Sequence, residues 1–207
     1  MRNRPPVLNR YTSLPVALDV LSHKRITLLS PDLWEDRNDA YYLERYHEEM
    51  GFSCVLAICF SRCGETFHHW RVFSHGFSGV CIEFDRAGLL KSFASQKGFR
   101  TGDVSYRWVR TVQRGRPKPE TWPFLKRKPF KDEREFRIVF ESKTETARAK
   151  HVEIDLAAVR LVTLSPWLPE SVANSVTGII GKIDGCDRLK INRSSLIENE
   201  DWKKAIG

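Results

Sequence analysis

The chain has little of what would assign it to a class outright. Its 207 residues contain two methionines and five cysteines, and no two of the cysteines form a CxxC pair. An odd number without framework spacing argues against a secreted disulfide scaffold and for a reducing compartment. No long apolar run is present. The longest, Ser53 to Phe60, is far short of the ~20 residues a membrane helix requires. The N-terminal Met1-Arg-Asn-Arg-Pro-Pro is charged, but Asn9, Arg10 and Ser13 interrupt the sequence before an apolar signal core could build. A cytoplasmic protein without membrane association is the expectation. Also missing are a Gly-x-Ser-x-Gly nucleophile elbow, a Walker loop, a dinucleotide GxGxxG, internal repeats and low-complexity tracts.

What is present is enough apolar and aromatic content, 41% and 11%, to bury a core without staples, which excludes disorder, collagen and coiled coil. The formal charge of +8 is concentrated. Arg107 to Lys131 holds nine basic residues (Arg107, Arg110, Arg114, Arg116, Lys118, Lys126, Arg127, Lys128, Lys131) against Glu120 alone, which accounts for the whole surplus. The other 182 residues balance at 25 basic and 25 acidic. The middle of the segment, with Gly115, Pro117 and Pro119, reads as an exposed loop. Such a loop is either solubilising or a surface for an anionic ligand, for which Trp108 and Trp122 would offer stacking faces.

Apolar spacing predicts helices over 16–21, 39–50, 65–75, 85–95 and 169–180. It predicts strands over 26–29, 52–60, 79–84, 104–109, 136–140, 152–154 and 160–164. Short strands unevenly interleaved with helices favour an α+β fold, with one domain over 1–207 and a basic loop at 107–131.

Cys54, Cys59, Cys63, His68 and His69 all have ligating chemistry, yet the first two fall on opposite faces of a strand and no metal-site spacing occurs; no metal is expected. The densest polar signal is Asp132-Glu-Arg-Glu-Phe-Arg-Ile-Val-Phe. On a strand, Glu133, Glu135 and Arg137 share one face while Phe136, Ile138 and Phe140 share the other. Paired carboxylates beside a guanidinium allow one to stay ionised and stabilise positive charge while its partner activates a nucleophile. The competing reading is a solvated strand face with cross-strand ion pairs.

These residues also carry a resemblance. Arg10-Tyr-Thr-Ser-Leu, Ala17-Leu-Asp-Val-Leu-Ser, Ile26-Thr-Leu-Leu-Ser-Pro, Trp34-Glu-Asp and Cys59-Phe-Ser resemble the bacterial DUF2971 family of uncharacterised proteins. So do Trp70-Arg-Val-Phe-Ser-His-Gly-Phe-Ser-Gly-Val, Val104-Ser-Tyr106, Lys126 through Phe130 to Glu133-x-Glu135-x-Arg137, and Arg193-Ser-Ser-Leu with Trp202. The chain departs from that family with Glu35 in place of the usual Asn and Phe73 in place of the usual Tyr. The order of Arg10-Tyr11-Thr12, then Trp70 and Phe73 before a Gly-Val strand, then Glu-x-Glu, is similar more distantly to ADP-ribosyltransferases.

That likeness implies a mixed or antiparallel split sheet flanked by helices, with NAD as cofactor. It implies modification of a macromolecule, protein or nucleic acid, as in a bacterial toxin or phage-defence effector. Glu135, or failing it Glu133, would be catalytic, because cleaving the nicotinamide–ribose bond passes through an oxocarbenium-like state. Arg10, Tyr11, Thr12, Trp70, Phe73 and His75 would hold the cofactor, with Arg10 on its phosphates and Trp70 and Phe73 on the nicotinamide ring. Arg114, Arg116, Lys118, Lys126, Lys128 and Arg137 would face the anionic ligand or target. The rival is a non-catalytic or nucleolytic nucleic-acid binder using the basic segment. Oligomeric state is not encoded in any of these features.

Overall fold

The structure, a computed structural model, describes residues 6–74 and 76–206. In chain order these form β1 (Val7–Ser13), α1 (Leu14–His23), β2 (Arg25–Leu29), α2 (Arg37–Met50), β3 (Cys54–Ser61) and α3 (Phe67–Phe73). There follow β4 (Gly79–Asp85), α4 (Arg86–Ala94), β5 (Phe99–Asp103), β6 (Ser105–Arg107), α5 (Val109–Arg114), β7 (Leu125–Arg127) and β8 (Glu135–Ser142). The last elements are β9 (Ala149–Glu153), β10 (Val159–Leu164), α6 (Glu170–Ile180), β11 (Ile191–Arg193) and α7 (Glu200–Lys204). The class is α+β, as the strand and helix spacing predicts, with mainly antiparallel pairing.

The chain divides into two compact units, each assembled from separate stretches of sequence. One comprises the residues up to Arg25, Cys63–Lys91 and those from Glu153 onward. In it β4 lies between β1 and β10, antiparallel to both, and β11 adds to β10 in parallel. Helix α1 packs on β1 and β4. Leu8, Leu21, Ile82, Phe84, Val162 and Ile180 are buried here. The apolar positions of α1 at Ala17, Val20 and Leu21 form its buried stripe, and Lys24 closes the helix in the left-handed region at φ 50°. Asp85 caps α4, its Oδ1 accepting from Gly88 N at 2.7 Å.

The other unit comprises Ile26–Arg62 and Ser92–Val152. Its strands run β9-β2-β3-β8-β5, with β6 and β7 as a separate parallel pair. Strand β8 is central, paired over its length with β3 and along Phe136–Phe140 with β5. Helix α2 rests on this sheet, with Leu43, Tyr46, Val55, Ala57, Trp122 and Val139 forming a core cluster. Gly51 ends α2 at φ 62°, donating to Glu48 and His47 carbonyls, a left-handed cap that glycine adopts without a Cβ penalty.

Three expectations are corrected. The strand expected over 104–109 is shorter, β6 over Ser105–Arg107 alone, with Trp108 capping α5, and a separate strand, β5, precedes it over Phe99–Asp103. Phe99-Arg-Thr-Gly-Asp has a single apolar side chain, so β5 carries no period-two signal and is set by its ladder to β8. The residues 107–131 are mostly structured: α5, β7 and two 3-10 turns, Pro119–Phe124 and Lys128–Glu133, leave 115–118 as the open stretch. Finally, Glu133 lies outside β8. It ends a 3-10 turn, and Arg134, at φ 45°, reverses the chain before the strand begins at Glu135.

Candidate active site

The second unit buries five ionisable side chains in one cluster: Asp39, Lys126, Glu133, Glu135 and Arg137. Each arrives from its own local structure. Asp36 caps α2 by accepting from the Asn38 and Asp39 amides, which starts the helix so that Asp39 in its first turn is buried. Lys126 sits in β7, where the parallel register sets it opposite Tyr106 of β6. Glu135 and Arg137 alternate on β8, opposite Ser61 and Cys59 of β3. The reversal at Arg134 brings Glu133 in from the turn while Glu135 enters from the strand, and both carboxylates reach one ammonium. Lys126 Nζ lies 2.7 Å from Glu133 Oε2 and 3.4 Å from Glu135 Oε2.

Arg137 is fully buried and spends its donors completely. Nε donates to Glu135 Oε1 at 2.6 Å and Nη2 to Glu135 Oε2 at 3.0 Å. Nη1 donates to Asp39 Oδ1 at 2.9 Å and to the Pro123 carbonyl at 3.0 Å, and Nη2 also pairs with Asp39 Oδ2. Its guanidinium lies over the Trp34 ring, 5.0 Å from the centroid. Lys126 lies 3.5 Å from Asp39 Oδ2 and 4.9 Å from the Phe130 ring centroid. The Glu135 amide donates to Tyr106 Oη at 2.8 Å, which fixes the start of the strand. The paired carboxylates are therefore no solvated strand face: Glu133 and Glu135 are each 6% exposed.

The cluster separates the two glutamates electrically. Burial alone would raise Glu135, but Arg137 and Lys126 hold its carboxyl down to about 2. Burial pushes Glu133 up to about 7; Lys126 opposes the rise, and the Glu135 charge adds to it. Burial raises Asp39 as well, against the pull of Arg137. For Lys126, desolvation is outweighed by Glu135, Asp39 and Glu133, and its charge is held more firmly than usual. Three carboxylates against two cations leave one negative charge in excess if all ionise. A proton relieves that excess, and burial raises both Glu133, to about 7, and Asp39 toward holding it. One carboxyl fixed as an anion beside one that exchanges a proton is the division of labour that acid–base chemistry uses. Beside them, burial and then Glu135 push the Cys59 thiol well above its ordinary range, so it is held as a neutral SH.

Sequence reasoning placed Glu133, Glu135 and Arg137 together and gave Lys126 to an outward basic surface. The structure turns Lys126 and Arg137 inward, where both are consumed by carboxylates. Asp39 was missed: it stands 98 residues from Arg137, and nothing local marks it. Arg114, Arg116 and Lys118 are exposed and Lys128 is partly so. Arg116 covers the buried Trp122 at 5.6 Å, and the Trp122 indole donates to the Pro117 carbonyl at 3.0 Å. That ring has no open face, whereas Trp108 is 60% exposed.

The other expected residues belong to the first unit. Arg10 is half-buried on β1, paired in register with Ile82. Tyr11 and Thr12 are buried. Trp70 is wholly buried, its Nε1 donating to Glu65 Oε1 at 2.6 Å and its ring set edge-on to Tyr11 at 5.3 Å. It forms a core cluster with Tyr11 and Cys81, against which Phe73 and Trp167 pack. Phe73 is half-buried, 5.7 Å from the ring of His69. His75 lies outside the described residues. The fit to a nicotinamide dinucleotide is therefore partial. Arg10 and Phe73 keep accessible surface, but Trp70 offers no face for a ring to stack on. Among the described residues, no three His, Cys, Asp or Glu side chains are grouped to hold a metal ion.

No family model matches the chain, that of the DUF2971 family included, and no curated protein matches it. Among solved structures it is similar to DarT of Thermus sp. 2.9. The similarity to that protein in complex with carba-NAD+ has a TM-score of 0.47 at 11% identity, covering 96% of this chain and 98% of the other. With NAD+ the TM-score is 0.47 at 8% identity over 98% and 99%, and with ADP-ribosylated ssDNA it is 0.47 at 10% identity over 96% and 96%.

Proposed function

We propose that the chain is an ADP-ribosyltransferase-like enzyme that uses NAD to modify a macromolecule, with Glu133 and Glu135 as its working carboxylates. The observation that carries the reading is the geometry of the pair: Glu135 gives both oxygens to Arg137, while Lys126 lies 2.7 Å from Glu133 and 3.4 Å from Glu135, which holds Glu135 as an anion and leaves Glu133, raised to about 7, to exchange a proton. A bound donor would supply an activated glycosyl bond and a neutral leaving group. Glu135 provides a fixed negative charge where positive charge develops at the ribose, without reorganisation because Arg137 and Lys126 already orient it. Glu133, in its deprotonated form, takes the proton of the attacking nucleophile, and Lys126 between the two stabilises the standing charge of Glu135 and that of Glu133 before the transfer. No step is assigned to Trp70, whose ring is enclosed.

The test is calorimetric titration with NAD followed by measurement of nicotinamide release. Binding is expected, with release falling about a hundredfold or more in Glu135→Ala, the loss typical of removing a group that acts in the transition state. Absence of both binding and release from folded protein would overturn the reading.

A further inference from the structure

The second unit also carries an open cleft that the carboxylate cluster does not use. It has a volume of about 620 Å³, and Arg107, Trp108, Arg110, Thr111, Arg127 and Pro129 are among the residues that line it. No carboxylate is among the described residues lining it. Arg107 makes one weak contact, Nε to Ser105 Oγ at 3.2 Å. Neither the Arg110 nor the Arg127 side chain has a hydrogen-bond or ion-pair partner among the described residues. Three arginines thus line one cleft, free of carboxylates, with an indole that is 60% exposed. A second cleft of about 520 Å³ shares Arg107 and Thr111 with the first; it is lined also by Lys118 and by the carboxylates Asp103 and Glu120, which the first cleft lacks.

Like charges at this density are unfavourable in the empty cleft and are relieved by an anion. The exposed indole adds a demand that a bare polyanion cannot meet: a flat apolar ring to cover it. We infer that this cleft binds single-stranded nucleic acid, one base stacking on Trp108 and successive phosphates pairing with Arg107, Arg110 and Arg127. A duplex keeps its base faces stacked inside and cannot cover Trp108. A mononucleotide carries phosphate on one side of its base only and leaves guanidinium groups unpaired. The inference stands independently of NAD chemistry, because it concerns binding alone. It also relocates the basic surface, from Arg114 and Arg116 to Arg107 on β6, Arg110 on α5 and Arg127 on β7.

The experiment is fluorescence anisotropy of a labelled 12-nucleotide single strand with the full chain, without NAD, over a salt series. Three phosphate contacts give a slope of log K against log salt of about −2, at roughly −0.7 for each. Trp108→Ala should weaken binding on the order of tenfold and Trp108→Phe should restore most of it, as loss and recovery of a stacking face require. Arg110→Glu with Arg127→Glu should weaken binding further and flatten the slope, while Arg114→Glu with Lys118→Glu leaves most of it. All four positions are exposed, and thermal unfolding of each variant checks the fold. The inference fails if no binding is seen, or if Trp108→Ala changes nothing. It also fails if heparin, poly-glutamate, the matching duplex or a mononucleotide competes as well as the strand. Nicotinamide release by the Arg110 and Arg127 variants is expected to match wild type, so that failure here and failure of the enzymatic reading are distinguishable.

Discussion

At the scale of single residues, Glu133 and Glu135 stand two positions apart in the sequence and are driven in opposite directions by the fold, to about 7 and about 2. The physical reason is how closely each is held by cations: Glu135 takes both oxygens to Arg137 and one to Lys126, whereas Glu133 pairs with Lys126 and feels Arg137 more weakly. This difference has a signature in stability. A carboxyl raised from 4.5 to about 7 favours the fold most below pH 4.5, and that contribution is lost as pH rises through about 7. One lowered to about 2 acts in the opposite sense, its contribution growing as pH rises from about 2 to 4.5. In urea unfolding, Glu133→Gln should therefore remove a decline of roughly 3 kcal/mol between pH 4.5 and pH 8. Asp39, also raised by burial, adds a decline of the same sign that persists in the variant. Parallel stability curves for wild type and Glu133→Gln would show that the proton does not sit on Glu133.

At the scale of elements, the placement of the cluster depends on β8 having a strand on each side. Its Glu135–Phe140 stretch is buried throughout, which the alternation of Glu, Phe, Arg and Ile conceals because charged residues there point into an ion-pair network instead of water. Much of the element order was legible: α1, α2, β3, β4 and α6 follow from apolar spacing, and Gly51 marks its helix end. Strands β5, β7 and β11 were not legible, being short or poor in apolar residues and defined by their partners. Asp39 and Lys126 were illegible as site residues for a related reason, since a buried ion pair joins positions that only the tertiary fold makes neighbours. The turn into β5 supplies a test. Gly98 has φ 83°, and a Cβ there would lie 2.7 Å from the Glu141 carbonyl oxygen of β8. Backbone cannot yield as a side-chain tip would. Gly98→Ala should therefore cost about 1–3 kcal/mol, from the left-handed strain and the clash together. A thermal midpoint unchanged from wild type would mean that the β5–β8 ladder does not need this turn.

At the scale of the whole chain, the surplus of +8 has resolved into parts with different work. Lys126 is inside, neutralised by carboxylates, whereas Arg107, Arg110 and Arg127 line an open cleft beside an exposed indole. The remaining basic residues of the segment, Arg114 and Lys118 among them, lie on the surface. A balanced body with one electropositive stretch directs an anionic partner to one region instead of attracting it everywhere. The central claim is that the divided carboxylates perform the chemistry, and the pH dependence of nicotinamide release tests it most directly. With Glu133 as base, kcat/KM should climb with pH through about 7, and Glu133→Gln should lose that limb together with about a hundredfold in rate. A profile flat from pH 5 to 8, or the same limb in Glu133→Gln, would contradict the account.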